Sequence, residues 1–345
     1  MLAAIFGLSG PVLTDDERAF FRDADPAGYI LFGRNIETKD QLRALTSELR
    51  SIRGRDDLAI LVDQEGGRIA RLKPPVWPAF PAAGAPFDAL YEIAPMSAIE
   101  AARANAEALG LVLGEVGISV DCLPLLDVRQ PGAHDVIGDR ALGTEPMRVA
   151  ALGRAVLDGL AQGGCVGVVK HIPGHGRATS DSHKELPVVD ADDAAMATDL
   201  QPFAALADAA MAMTAHVVYT AWDAKRPATL SPRVIETIIR GRIGFDGFLM
   251  SDDIDMKALV GTPGEKAAAA VAAGCDVALD CWGRMDDMID IAGTVGAMGS
   301  EGARRLASAM ATPRKADPAR YDALVETRDA LLALAANDIA GTGRT

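Results

Sequence analysis

The chain has 345 residues, 49% of them hydrophobic and 24% charged, which is the composition of an ordinary globular protein with a large core. Its net charge of −14 and pI near 4.8 argue against nucleic acid as a partner, because that binding needs a concentrated basic surface. No apolar segment reaches the length of a transmembrane helix, so we expect no membrane partner and a soluble, cytoplasmic protein.

The N-terminus and the cysteines support the same location. The first ten residues are apolar, but no basic residue precedes the apolar run, so we interpret it as a first strand and not as a signal peptide. Cys122, Cys165, Cys275 and Cys281 lie in or near apolar runs without ligand-like pairing. This pattern is typical of reduced structural thiols in a cytosolic protein.

Strand-like and helix-like segments alternate along the chain. Eight short apolar runs predict strands at 2–8, 28–32, 58–62, 118–123, 166–169, 211–217, 247–250 and 276–279. Stretches rich in Ala and Leu predict helices at 39–53, 98–116, 148–162 and 193–209, and the segment 285–340 also has a helical pattern.

This alternation predicts an α/β protein whose fold is a (β/α)8 TIM barrel. By length the chain could hold two domains, but we expect a single domain over residues 1–340 and a disordered tail over 341–345. A doubly wound sheet is the alternative on pattern alone. No nucleotide-binding glycine fingerprint follows the first strand, which removes one reason to prefer it.

Ionisable residues follow several of the predicted strands directly. They are Asp63, Lys170 with His171, His216 and Asp252. Barrel enzymes build their active sites at the carboxyl ends of the strands, so these residues are predicted to converge on one cleft.

The segment 170–183 holds three of the five histidines and is the strongest functional signal in the chain. Pro173 and the glycines around it prevent a helix, and we expect a mobile surface loop that carries Asp181 and His183. A carboxylate that accepts a hydrogen bond from one imidazole nitrogen orients the other nitrogen for proton transfer. The alternative is an exposed pair that only stabilises the loop.

A metal site is a second possibility for these histidines. His171 and His175 stand four residues apart, a spacing typical of metal ligands on one helical face. Pro173 and Gly174 break that face, so we predict no metal and no cofactor. A metal-dependent barrel hydrolase using His171, His175 and His216 is the competing hypothesis.

Asp252 also allows two interpretations. A carboxylate at the end of a barrel strand can act as a nucleophile or stabilise a cationic transition state. The alternative is that Ser251, Asp252 or Asp253 caps a helix beginning near Met256, with Asp253 the preferred cap. We predict that Asp252 is catalytic.

Further polar residues suit the binding of a polyol. Asp63 and Arg71 flank the glycine pair 66–67, and an aspartate that accepts two hydroxyl hydrogen bonds is a common ligand of sugars. Arg140 follows a glycine turn. The alternative is that the arginines form surface ion pairs with Asp63 or Glu65, or are only solvated.

Five motifs together give the chain a family resemblance. They are Val-Asp-Gln-Glu-Gly-Gly-Arg (62–68), Ile-Gly-Asp-Arg (137–140), Lys-His-Ile-Pro-Gly-His-Gly (170–176), Asp-Ser-His (181–183) and Ser-Asp-Asp-Ile-Asp-Met (251–256). In this order they resemble the glycoside hydrolase family 3 β-N-acetylhexosaminidases, and among these the single-domain bacterial NagZ branch. Leu-Phe-Gly-Arg-Asn-Ile (31–36) extends the resemblance towards the N-terminus.

The resemblance implies a retaining, exo-acting enzyme that removes terminal β-linked N-acetylglucosamine. Its expected partner is a small carbohydrate released in peptidoglycan recycling, N-acetylglucosamine linked to a 1,6-anhydro-N-acetylmuramic acid peptide. By motif, Asp252 would be the nucleophile, His183 the general acid/base and Asp181 its orienting partner. The sugar would be held by Asp63, Arg71, Arg140, Lys170 and His171. We expect a monomer. A catalytically silent sugar-binding protein is the remaining alternative.

Overall fold

The computed structural model describes residues 1–132, 134–135, 137–180, 182 and 184–342. Its centre is a closed parallel barrel surrounded by helices, so the predicted TIM barrel is confirmed. The strands are β1 (Leu2–Phe6), β2 (Pro26–Leu31), β3 (Ala59–Val62), β4 (Val120–Asp121), β5 (Val166–Ile172), β6 (Val188–Val189), β7 (Met211–Thr214), β8 (Val218–Tyr219), β9 (Asp223–Pro227), β10 (Phe248–Asp253) and β11 (Val277–Asp280).

The strand order around the barrel is β1-β11-β10-β7-β5-β4-β3-β2, and every pair of neighbours is parallel. Each of the eight predicted runs overlaps one of these strands. Strands β6, β8 and β9 form a small separate sheet beside the barrel.

The helices form the outer layer. They are α1 (Asp15–Ala24), α2 (Lys39–Arg53), α3 (Ala85–Ile93), α4 (Pro95–Glu115), α5 (Pro146–Gln162), α6 (Asp193–Ala205), α7 (Pro263–Ala273), α8 (Met285–Thr294), α9 (Ser300–Met310) and α10 (Tyr321–Thr342), with a π-helix at Val234–Ile243. The prediction for α2 has the observed bounds. The helical segment predicted from residue 285 divides into α8, α9 and α10. Of the predicted tail, residues 343–345 lie outside the described residues.

The barrel has two apolar layers because alternate residues of a strand point to opposite faces. In β10, Phe248 and Met250 belong to the cluster inside the barrel, whereas Leu249 packs in the layer between strands and helices. Leu306 and Ala309 of α9 join the interior cluster. The inside of the barrel is therefore a packed core, and the polar chemistry lies at the strand ends.

Each helix in the described part of the chain is too short or too polar to cross a membrane.

Candidate active site

One pocket at the carboxyl ends of the strands contains every predicted site residue that the structure describes. These are Asp63, Arg71, Arg140, Lys170, His171 and Asp252. Ile30, Met213 and Leu279 also line it and belong to the interior core of the barrel. The pocket therefore has polar walls and an apolar floor that closes it from below.

Lys170 is the buried centre of the polar wall. It lies near the end of β5 with 2% of its side chain exposed. Its ammonium is 3.0 Å from Asp63 Oδ1 and 2.7 Å from Glu65 Oε1. Burial alone would lower the pKa of Lys170, but the two carboxylates outweigh this and raise it, so the lysine remains charged.

Glu65 connects Lys170 to Arg140 and is itself buried. The Arg140 guanidinium donates from Nε to Glu65 Oε2 at 2.8 Å and from Nη2 to Glu65 Oε1 at 2.9 Å, so the pair is bidentate. Burial opposes ionisation of Glu65, but Lys170 and Arg140 hold its pKa below the usual value. The interpretation of Glu65 as a partner in a surface ion pair is therefore wrong, because Glu65 is buried and holds Lys170 and Arg140 in place.

Asp63 is the carboxylate of this group that lies open to the pocket. Its Oδ1 accepts from Lys170, and Oδ2 accepts from Arg71 at 3.2 Å. Desolvation would raise the pKa of Asp63, yet the charges of Lys170 and Arg71 outweigh it and lower the pKa. An ionised carboxylate fixed by two cations keeps lone pairs for the hydroxyl groups of a ligand.

The turn between Asp63 and Arg71 requires glycine. Gly66 has a φ of +90°, and a Cβ on it would lie 2.0 Å from the carbonyl oxygen of Pro81. Only glycine accepts both this backbone conformation and this close approach. The turn brings Arg71 back to the carboxylate at the end of β3, eight residues earlier in the chain.

Asp127 organises the two histidines of the segment 170–176. It is fully buried, and His171 Nδ1 lies 2.8 Å from its Oδ2. The backbone N–H of His175 donates to Oδ1 at 2.7 Å. Burial works against the charge on Asp127, but His171 more than compensates and lowers the pKa to about 2. Asp127 thus fixes the His171 ring at the pocket wall.

His175 has a different environment although its ring also lines the pocket. Burial, followed by the neighbouring His171, lowers the pKa of His175 to about 4, so its imidazole is neutral at physiological pH. Its Nδ1 is buried and has no hydrogen-bond partner among the described residues.

The loop after β5 is more buried than expected. Residues 173–176 and Ala178 are buried, so the predicted surface loop is wrong for this part. A Cβ on Gly176 would lie 2.0 Å from the carbonyl oxygen of Val128, which shows how tightly the loop packs. Asp181 and His183 lie outside the described residues. Ser182, between them in sequence, is buried and lines the pocket.

Asp252 lies at the end of β10, partly buried, and faces the pocket. The N–H of Asp253 donates to its Oδ1 at 2.8 Å. The predicted helix cap is wrong, because the next helix, α7, begins at Pro263 and its N-cap is Thr262. Asp253 instead accepts from the N–H groups of Asp255 and Cys281, and so joins the turn after β10 to the end of β11.

His216 lies behind Asp252 rather than in the pocket lining. It is fully buried just beyond β7, with Nδ1 2.7 Å from Thr229 Oγ1 and Nε2 2.9 Å from the carbonyl oxygen of Asp253. His216 therefore supports the backbone that follows Asp252. Within the described ranges, no group of three His, Cys, Asp or Glu side chains is arranged to hold a metal ion.

Residues 8–308 match the family model described as the glycosyl hydrolase family 3 N terminal domain. The chain belongs to glycosyl hydrolase family 3. The β-hexosaminidase of Methylococcus capsulatus is 40% identical over 282 residues, which cover 80% of this chain and 82% of that protein. NagZ from Neisseria gonorrhoeae, solved with N-trifluoroacetyl-D-glucosamine, matches with a TM-score of 0.83 and 31% identity over 96% of this chain and 97% of that one.

A family 3 β-N-acetylglucosaminidase from Paenibacillus sp. matches with a TM-score of 0.80 and 31% identity. The match covers 95% of this chain and 61% of that longer one. These relationships identify the family 3 chain as a glycoside hydrolase of the NagZ type, with hexosaminidase activity.

Sequence reasoning missed Asp127 and misjudged Glu65. Both are charged residues whose burial depends on partners far along the chain, 44 and 75 residues away respectively. A signal was nevertheless present for Asp127, since it interrupts the apolar run 122–128 just after the fourth predicted strand.

Proposed function

We propose that the chain is a retaining exo-β-N-acetylglucosaminidase that forms a covalent glycosyl-enzyme on Asp252. The observation that carries the proposal is that Asp252 and the group Asp63–Lys170–Arg71 line the same pocket. One wall thus offers fixed charges for sugar hydroxyls, and the other offers a carboxylate for the anomeric carbon. The apolar floor formed by Ile30, Met213 and Leu279 closes the pocket below the first sugar, which is in keeping with exo action.

The terminal sugar is held by the polar wall. Asp63, ionised and fixed by Lys170 and Arg71, accepts hydrogen bonds from two sugar hydroxyls. Arg71, Arg140, Lys170 and His171 supply donors around the ring. Since the wall is already held together by its own ion pairs, little reorganisation is needed when the sugar binds.

In the first chemical step, Asp252 attacks the anomeric carbon while His183 protonates the departing glycosidic oxygen. Asp181 accepts a hydrogen bond from the other nitrogen of His183 and so orients it. Water, deprotonated by His183, then cleaves the sugar–Asp252 ester, and the sugar leaves with retained configuration. The position of Ser182 in the pocket lining supports a role for the residues on either side of it.

The proposed substrate is N-acetylglucosamine linked to 1,6-anhydro-N-acetylmuramic acid carrying a peptide, and the proposed location is the cytoplasm, where such fragments are recycled. The N-acylated glucosamine in the Neisseria NagZ structure supports an N-acetyl sugar in the pocket. We propose that the enzyme acts as a monomer.

Two measurements on the purified protein test this function. Digestion of anhydro-muropeptides, followed by mass spectrometry, should release free N-acetylglucosamine. Proton NMR of a reaction with an aryl β-N-acetylglucosaminide should show the β-anomer first, and a first product with the α-configuration would contradict the retaining mechanism. Release of no sugar from either substrate would favour the alternative of a silent sugar-binding protein.

The role of His183 is tested separately with His183→Ala. Because a good leaving group needs little help from an acid, the loss in kcat/KM should be much larger for an alkyl glycoside than for a dinitrophenyl glycoside. Equal losses for the two substrates would contradict the acid/base role. Ser182→Ala, at the neighbouring position, is the matched control and should keep the wild-type ratio between the substrates.

A further inference from the structure

A strip of alternating arginine and aromatic side chains extends from the sugar pocket to its rim. The guanidinium of Arg71, a pocket residue, lies 5.1 Å from the centre of the Phe32 ring, and that of Arg34 lies 5.0 Å from it. The guanidinium groups of Arg34 and Arg284 each lie 5.8 Å from the centre of the Trp282 ring. We call these five residues the rim strip, and its contacts have the geometry of cation–π interactions.

Hydrogen bonds and close packing fix the rim strip just beyond the ends of β2 and β11, where Arg34 and Trp282 lie. Arg34 donates from Nε to the carbonyl oxygen of Leu8 at 2.7 Å and from its terminal nitrogen to the carbonyl oxygen of Cys281. Cys281 lines the sugar pocket, and Trp282 follows it directly. Gly283, next in the chain, has a φ of +67°, and a Cβ there would lie 2.4 Å from the carbonyl carbon of Leu8. The backbone around Trp282 is therefore closely packed.

Trp282 is nevertheless half exposed, with 50% of its surface open to solvent. A large aromatic side chain at the rim of a binding pocket offers an apolar face on which a sugar ring can stack. Of the two cations beside it, Arg284 pairs with Asp255 and Asp287, and Arg34 donates to the carbonyl oxygens of Leu8 and Cys281.

We propose that Trp282 binds the sugar ring of the leaving group, while the pocket holds the terminal sugar. The inference rests on the proposed function, since it assumes a glycoside whose first sugar occupies the pocket. The rim strip supports this occupant because it is continuous with the pocket: it begins at Arg71, a pocket residue, and reaches solvent at Trp282. In this arrangement, a ring attached to the first sugar extends from the pocket towards this rim. Trp282 is thus a specificity residue for the part of the substrate that departs.

The test compares two substrates that share the terminal sugar and differ in the leaving group. One is the disaccharide N,N′-diacetylchitobiose, and the other is methyl β-N-acetylglucosaminide, which has no second ring. Trp282→Ala should lower kcat/KM for the disaccharide about tenfold, the effect of losing one stacking contact of about 1.4 kcal/mol. Activity on the methyl glycoside should stay near the wild-type value. Trp282→Phe, which keeps an aromatic face, should restore most of the loss.

Val260 provides the matched control, since it is an exposed apolar side chain in the loop after β10 at the same end of the barrel. Val260→Ala should leave both substrates unaffected. Equal losses on the two substrates in Trp282→Ala, or no loss on either, would overturn the role of Trp282 and leave the proposed function intact. A wild-type protein that cleaves neither these two substrates nor an aryl β-N-acetylglucosaminide would overturn both.

Discussion

The two sides of the barrel mouth treat buried carboxyl groups in opposite ways. At the ends of β3 and β5, Asp63 and Glu65 pair with Lys170 and arginines, and their pKa values are lowered. At the end of β11, Asp280 is 1% exposed, and neither of its carboxyl oxygens has a hydrogen-bond partner among the described residues. Burial, reinforced by the nearby Asp253, raises the pKa of Asp280 to about 7.

The difference shows two ways of meeting the cost of burying a carboxyl group. Opposite charges offset the cost on the sugar-binding side and leave ionised, fixed groups that can bind hydroxyls. On the β10–β11 side the pKa of Asp253 is also raised, to about 6, chiefly by burial, so protonation relieves the cost of burial below these pKa values. At such pH values Asp253 and Asp280 are neutral, and Asp252 is the carboxylate that faces a cationic transition state from this side of the pocket.

The largest effect is expected from Asp252→Asn. An amide cannot form the glycosyl ester, so turnover of an aryl β-N-acetylglucosaminide should fall on the order of 10³-fold or more. Steady-state kinetics provide the measurement. Asp255→Asn, three residues further on and paired with Arg284 outside the pocket lining, is the control and should retain most of the activity. Near-normal turnover by Asp252→Asn would refute the assignment of the nucleophile.

Glu65→Gln tests the paired side. The substitution removes a buried charge that compensates Lys170 and Arg140, so the free energy of unfolding should fall by about 3–5 kcal/mol. Sugar binding should weaken as well, because both cations lose their fixed position. Denaturant unfolding measures the first effect and inhibition by N-acetylglucosamine the second.

The control for Glu65→Gln is Glu115→Gln, which breaks the exposed pairs with Lys39 and Arg43. Its loss should be about 1 kcal/mol or less, because solvent screens exposed pairs. Similar losses for the two variants would contradict the buried ionic wall.

Asp127→Asn weakens the hydrogen bond that fixes the His171 ring, although Asp127 itself does not line the sugar pocket. A hydrogen bond to a charged group contributes about 1.5–3 kcal/mol, so kcat/KM should fall roughly 10- to 100-fold. The loss should appear mainly in KM, because His171 is assigned to binding and not to proton transfer. A loss confined to kcat would contradict that assignment.

Asp280→Asn should have the smallest effect. Unlike the other substitutions, it should raise the free energy of unfolding. With a pKa of about 7 when folded and about 4 when unfolded, the native state binds the extra proton, so wild-type stability falls as pH rises between these values. The slope is about 1.4 kcal/mol per pH unit for one group. Asp280→Asn removes this slope and should gain stability relative to wild type from pH 5 to 7.

Thermal or denaturant unfolding across this pH range measures the change. The control is Asp276→Asn, which breaks partly buried pairs with Arg240 and Arg305 and should destabilise the protein at pH 7. An unchanged pH slope in Asp280→Asn would show that Asp280 is ionised like Asp63, and the contrast between the two sides would be lost.

The barrel could be predicted from sequence because its signals are local. The bounds of α2 and the positions of the barrel strands follow from short-range hydrophobic patterning, and strand ends then place Asp63, Lys170 and Asp252 at one mouth. The cap predicted for Asp253 was wrong because an Asp after a strand has the same local pattern whether a helix or a turn follows.

The partners of buried charges could not be predicted. Glu65 has the sequence context of a surface residue, and only the closed barrel brings Arg140 and Lys170 to it. The same applies to Asp280, whose carboxyl group has no hydrogen-bond partner among the residues that the structure describes. Its burial follows from the position of β11 between β10 and β1 and has no counterpart in its local pattern. For Asp181 and His183, the catalytic assignment stays a prediction.

The central claim, a division between a sugar-binding wall and a single nucleophile, is tested most directly by trapping the intermediate. A 5-fluoro N-acetylglucosaminyl fluoride should react once per protein, and peptide mass spectrometry should locate the sugar on Asp252. A label on another residue, or complete turnover of the reagent without any covalent adduct, would contradict the account.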